Sequence, residues 1–110
     1  MTQFPIIPAG NRTTEPEMLE ALISFLEQRG YKEAQFKDIW TYLPGKWIKL
    51  TKEDKEVART RSGEPHWHTI VRNIWAHIHE NPNYDPRIRK RPEGGGFQLT
   101  SYVKKVRKYA

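Results

Sequence analysis

The chain has 110 residues, a hydrophobic fraction of 36%, a formal net charge of +6 and no cysteine. That length suits one small domain with a single core, and the absence of cysteine excludes a disulfide framework. No apolar run approaches a signal-peptide core or a membrane span, so the expectation is an intracellular protein (cytoplasmic or nucleoid, nuclear in a eukaryote) with no membrane partner.

The charge is unevenly placed. Residues 1–55 carry 8 Lys/Arg and 8 Asp/Glu, whereas residues 56–110 carry 11 and 5. From Arg87 onward 8 basic residues face a single acid, Glu93. Such asymmetry points either to a polyanion partner or to a solvated basic surface, and charge alone does not separate the two.

In chain order, MTQFPIIPAGN reads as an extended leader over residues 1–14, because two prolines and a Gly-Asn turn forbid a helix; Phe4, Ile6 and Ile7 are placed to tuck against the body. Thr14-Glu15-Pro16-Glu17 matches a capping box. The helix it starts has Met18, Leu19, Leu22, Phe25 and Leu26 as its buried stripe and Gly30 as a left-handed C-cap. Tyr31 to Ala34 suit a short strand. Phe36, Ile39, Trp40 and Leu43 form the apolar face of a second helix, stopped by Pro44-Gly45. Thr51 is the expected N-cap of a short polar helix in TKEDKEVAR, and RTRSGEP is a loop carrying Arg59 and Arg61.

HWHTIVRNIWAHIHE, residues 66–80, follows Pro65 and ends at Asn81-Pro82. Trp67, Ile70, Val71, Ile74, Trp75 and Ile78 fall on one arc roughly 140° wide. Opposite lie Thr69, Arg72, Asn73, Ala76 and Glu80, while the four histidines stand on the borders. A metal site is disfavoured: His66 and His77 share a side but lie roughly 16 Å apart along the axis, and the chain has no cysteine to complete a ligand set. Two short extended runs around Glu93-Gly94-Gly95-Gly96 then read as a hairpin, its loop made mobile by three glycines. YVKKVRKYA is a basic tail over residues 102–110, either a helical turn or a disordered arm.

Helix, strand, helix, short helix, long helix, hairpin is the order of a winged helix-turn-helix, an α+β fold with three or four helices and a C-terminal β-hairpin wing. The segments LTKED, HTIVRNIWAHI and EGGGFQLT also resemble the N-terminal winged-helix domain of Mrr-like restriction proteins and related specificity modules of restriction endonucleases. That resemblance covers roughly residues 15–101. It implies DNA binding and service in restriction or modification, with cleavage supplied by a nuclease domain or subunit elsewhere.

On this reading the outward N-terminal residues of the long helix, His66, His68, Thr69, Arg72, Asn73 and Ala76, meet base edges in the major groove. Arginine is suited to guanine, asparagine to adenine, and alanine or the threonine methyl to thymine. Arg87, Arg89, Lys90 and Arg91 of the wing, with Arg59, Arg61, Lys104 and Lys105, are the expected backbone contacts. Winged-helix domains of some restriction enzymes, which the chain resembles, read methylated adenine. Trp67 or Trp47 would supply the apolar contact, although the place of Trp67 in the apolar stripe favours a core role. No phosphate loop, nucleophile triad or paired-carboxylate motif appears, so neither an enzyme nor a cofactor is expected. The competing expectation is a winged helix that binds another protein instead of DNA.

Overall fold

The computed structural model describes residues 3–29, 32–57 and 63–100. Within them the order is α1 (Glu15–Glu27), β1 (Glu33–Gln35), α2 (Phe36–Tyr42), α3 (Lys52–Lys55), α4 (His66–Glu80), β2 (Ile88–Lys90) and β3 (Gly96–Leu99). The fold is α+β, with four helices and a small antiparallel sheet of order β1-β3-β2.

Helices α1 and α3 start where a side chain satisfies their free N–H groups. The Thr14 hydroxyl accepts from the Glu17 N–H, and the Glu17 carboxylate accepts from the Thr14 N–H at 2.8 Å. Thr51 and Asp54 form the same reciprocal pair at α3. Pro65 caps α4 with no side-chain hydrogen bond. The C-cap expected at Gly30 lies outside the described residues, as does Tyr31 of the first strand.

Met18, Leu22 and Leu26 of α1, Ile39 and Leu43 at α2, Val71 and Ile74 of α4, and Ile88 and Phe97 of the sheet form one core, each at most 1% exposed. Burying a side chain of this size contributes about 1.5–3 kcal/mol, which makes the shared core of α1, α4 and β3 the main source of stability. The wider apolar arc of α4 divides: Trp67, Val71, Ile74 and Ile78 are buried, while Ile70 and Trp75 stay partly covered at its edges.

β3 is the central strand. Its register pairs Ala34 with Phe97 on one side and Ile88 with Leu99 on the other. Phe97 and Leu99 point into the core, so Gln98 points away from it. The three glycines have steric reasons: Gly94 and Gly95 sit at φ +82° and +65°, and a Cβ on Gly96 would lie 2.0 Å from the Ala34 carbonyl oxygen. Only glycine permits that turn and that close approach of β1 to β3.

The leader is built into the body. The Ile6 N–H donates to the Trp47 carbonyl and the Lys49 N–H to the Ile6 carbonyl, both at 2.9 Å. The Ala9 N–H reaches Glu17, and Thr13 reaches Asp54 through its N–H (2.8 Å) and its hydroxyl (2.6 Å). Ile6 thus packs on the core, Phe4 meets the edge of Trp47 with ring centres 5.4 Å apart, and Ile7 remains 71% exposed. Among the described residues no helix is long and apolar enough to cross a membrane.

Candidate nucleic-acid interface

α4 presents three polar margins around its buried stripe. The outward one contains Thr69, Asn73, Ala76 and Glu80, spaced four, three and four residues apart and therefore aligned along the helix. Asn73, Ala76 and Glu80 are exposed; Thr69 is half-buried, and its hydroxyl has no partner among the described residues.

The margin facing α2 and β2 contains His68, Arg72, Trp75 and His79. His68 stacks on Trp40 at 3.7 Å between ring centres with planes 12° apart. Trp40 stacks on Phe36, and the Arg72 guanidinium lies over both, 5.1 Å from Phe36 and 5.6 Å from Trp40. Farther along, Trp75 and His79 are parallel at 5.8 Å, and Lys90 of β2 sits 4.8 Å above Trp75 with its ammonium 2.6 Å from His79 Nδ1. The result is a band of alternating aromatic and cationic groups drawn from α2, α4 and β2. Beside its β2 end, Ile78, His79, Pro82, Arg89 and Lys90 line an open cleft of about 380 Å³.

The third margin faces α1. His77 Nδ1 lies 2.9 Å from Glu15, whose carboxylate also accepts from the Tyr84 hydroxyl at 2.5 Å. Burial, then that hydrogen bond, pushes the Tyr84 phenol up to about 12. His77 is thus committed to joining α4 and α1. His66, half-buried, donates its backbone N–H to Glu56 at 2.8 Å. Among the described residues no three His, Cys, Asp or Glu side chains converge as metal ligands.

Glu64 organises the start of α4. It accepts from Arg72 Nε at 3.2 Å and Nη2 at 2.8 Å, and His68 Nδ1 stands 3.5 Å away, beyond a good hydrogen bond. The Arg72 hydrogen bonds, which outweigh partial burial, hold the Glu64 carboxyl below the usual carboxylate range. Burial against Trp40 lowers His68 below 6.5, against the upward pull of Glu64. This burial favours the neutral imidazole.

The hairpin cations fall into two kinds. Arg87 is saturated with acid, donating to Asp85 and to Glu20, each through Nη2 at 2.9 Å. Arg91 reaches Glu33 at 3.3 Å and the Gly94 carbonyl at 2.9 Å. Arg89 and Lys90 instead rest on neutral groups: Arg89 donates to the Gln98 amide oxygen at 2.9 Å, and Lys90 meets His79 and Trp75. Among the described residues no carboxylate pairs with either of them.

The structure thus brings His68, Arg72, Arg89 and Lys90 to one side of α4, with Asn73 and Ala76 on the adjoining outward margin. Trp67 and Trp47, the rings expected to meet a methylated base, are 5% and 6% exposed and belong to the core. Arg59, Arg61, Lys104 and Lys105 lie outside the described residues. Sequence reasoning assigned Glu64 to a loop and Phe36 and Trp40 to a buried face, and so missed the group that holds Arg72. Part of a signal was present, since His68 and Arg72 are four residues apart and so align on α4, whereas Glu64 lies ahead of the Pro65 cap and only the fold brings it to them.

No family model, curated protein or solved structure matches the chain. None of these comparisons links the chain to Mrr-like restriction domains. What α4 and the hairpin can do follows from their own chemistry.

Proposed function

We propose that this chain is a double-stranded DNA-binding module of the winged helix-turn-helix type, with α4 in the major groove and the hairpin over residues 87–97 on the backbone. The element order and the sheet order β1-β3-β2 are compatible with a winged helix, which supports the reading. The observation that carries it is the meeting of two features. An outward helix margin bearing Asn73 and Ala76 lies next to the margin that meets the hairpin, whose Arg89 and Lys90 have no carboxylate partner among the described residues. Asparagine and alanine have the chemistry to read adenine and a thymine methyl, and uncompensated cations release counterions from phosphates.

Within this proposal the chain is a specificity module for restriction or modification, without catalysis of its own, working with a nuclease domain or subunit. Methylated adenine is the sharper ligand. With Trp67 and Trp47 in the core, the half-exposed rings Trp40 and Trp75 are the groups a methyl would meet. Equal affinity for methylated and unmethylated duplexes would remove that part of the proposal.

A second reading, a winged helix that binds protein, is favoured by the carboxylates that neutralise Arg72, Arg87 and Arg91. Salt separates the two. Fluorescence anisotropy with a labelled random-sequence duplex should show log K falling against log salt with a slope near −5, for roughly six neutralised phosphates. Arg89→Ala or Lys90→Ala should each lower that magnitude by about 1. Arg87→Ala should change it less, because Glu20 and Asp85 already match that charge. No binding at low salt would leave the protein-interaction reading.

A further inference from the structure

We propose that Glu64 is a positioning residue that fixes Arg72 so that its free donor edge reads a guanine in the bound duplex. The inference rests on the DNA-binding proposal and adds to it the identity of one recognised base and the residue that sets up the contact.

A guanidinium carries five N–H donors in a plane, arranged along two usable edges. The Nε/Nη2 edge of Arg72 is taken by the Glu64 carboxylate. One face is covered by Phe36 and Trp40. What is left is the Nη1/Nη2 end. No acceptor engages Nη1 among the described residues, and the side chain keeps 29% of its surface exposed. Arg87 and Arg91 differ: Arg87 is engaged along both edges by Asp85 and Glu20, and Arg91 by Glu33, Gly94 and Glu93. Those two act as clasps, whereas Arg72 is held on one edge and open on the other.

The open end presents two parallel donors, the complement of guanine O6 and N7, and no other base offers two acceptors in that arrangement in the major groove. Arg72 stands in the first half of α4, the part of a recognition helix that meets bases. Because Glu64 and the rings have already removed its rotational freedom, little conformational entropy remains to be lost on binding. Glu64 also carries charge that repels phosphate, so removing it should not weaken sequence-independent affinity.

The test is one round of selection by the full chain from duplexes with a randomised core, followed by sequencing of the retained pool. For the parent, one position should favour guanine by roughly tenfold or more. Arg72→Lys, which keeps the charge but loses the planar fork, should abolish that preference. Glu64→Ala should abolish the same preference while binding random duplex at least as tightly as the parent. Glu64→Gln, with one acceptor and no charge, should retain part of it. Replacing the selected guanine by 7-deazaguanine, which lacks the N7 acceptor, should lower parent affinity to that of Arg72→Lys and requires no protein variant. A guanine preference that survives in Glu64→Ala or Arg72→Lys, or parent affinity indifferent to 7-deazaguanine, overturns the inference while leaving DNA binding standing. Failure of the parent to retain any duplex at low salt overturns both.

Discussion

Asp54 in α3 and Glu64 just ahead of α4 are both acids that tie a chain segment to a helix start, yet their surroundings differ. Asp54 is fully buried and accepts only from neutral donors: the Thr13 N–H and hydroxyl and the Thr51 N–H. Glu64 keeps 26% of its side chain exposed and faces a guanidinium. A buried carboxylate ringed by neutral donors holds architecture, because its loss strands several desolvated N–H and O–H groups at once. A carboxylate still open to water and paired with a cation contributes little to stability, since water screens the pair, but it fixes where the remaining donors of that cation point. The same residue chemistry thus supports the fold in one place and aims a side chain in the other.

The comparison is most open to challenge at Asp54. Asp54→Ala should cost about 2–4 kcal/mol in urea unfolding, since the leader and α3 lose their shared acceptor. A cost under about 1 kcal/mol would place Asp54 with the surface acids. Thr13→Val removes one hydroxyl donor and should cost about 1 kcal/mol in the same assay. Glu64→Ala should cost less than about 1 kcal/mol, and a loss as large as that of Asp54→Ala would make Glu64 a structural residue as well.

pH sharpens the contrast further. Burial pushes the Asp54 carboxyl up, but the hydrogen bonds from Thr13 and Thr51 outweigh it and carry the group below 3.8. The folded state then binds fewer protons than the unfolded chain, so this contribution is complete above the ordinary carboxylate range and is lost as pH falls through the lowered value. His68 is depressed below 6.5 by burial. Its folded form also resists protonation, so stability should decline as pH falls below 6.5. His68→Gln should flatten that part of the profile, the smallest of these effects, measured as unfolding midpoints across pH.

Much of the architecture was legible in the sequence because it rests on local rules. The capping box at Thr14, the N-cap at Thr51, the apolar stripe of α1, the span of α4 and the paired runs around the glycines all follow from spacing within one segment. What was not legible depends on segments far apart in the chain. Asp54 meets Thr13 across 41 residues, Arg91 meets Glu33 across 58, and Gln98 meets Glu33 across 65. The basic hairpin therefore reads in sequence as one cationic strip, whereas among the described residues Arg87 and Arg91 meet carboxylates and Arg89 and Lys90 do not. Arg72 likewise falls opposite the apolar arc on a helical projection, yet its long side chain bends toward α2, where two aromatic faces and Glu64 await it. The glycines illustrate a subtler gap: their number signals a turn, but the need for glycine at position 96 arises only when β1 pairs with β3.

The most direct test of the account is a titration of the ¹⁵N-labelled chain with a duplex, followed by amide and side-chain chemical shifts. The largest changes should cluster on Thr69, Asn73 and Ala76, the Arg72 guanidinium, and residues 89–95, with the leader and α1 unmoved. Changes centred on α1 or the leader, or none at a duplex concentration that saturates binding, would contradict the assignment of this face.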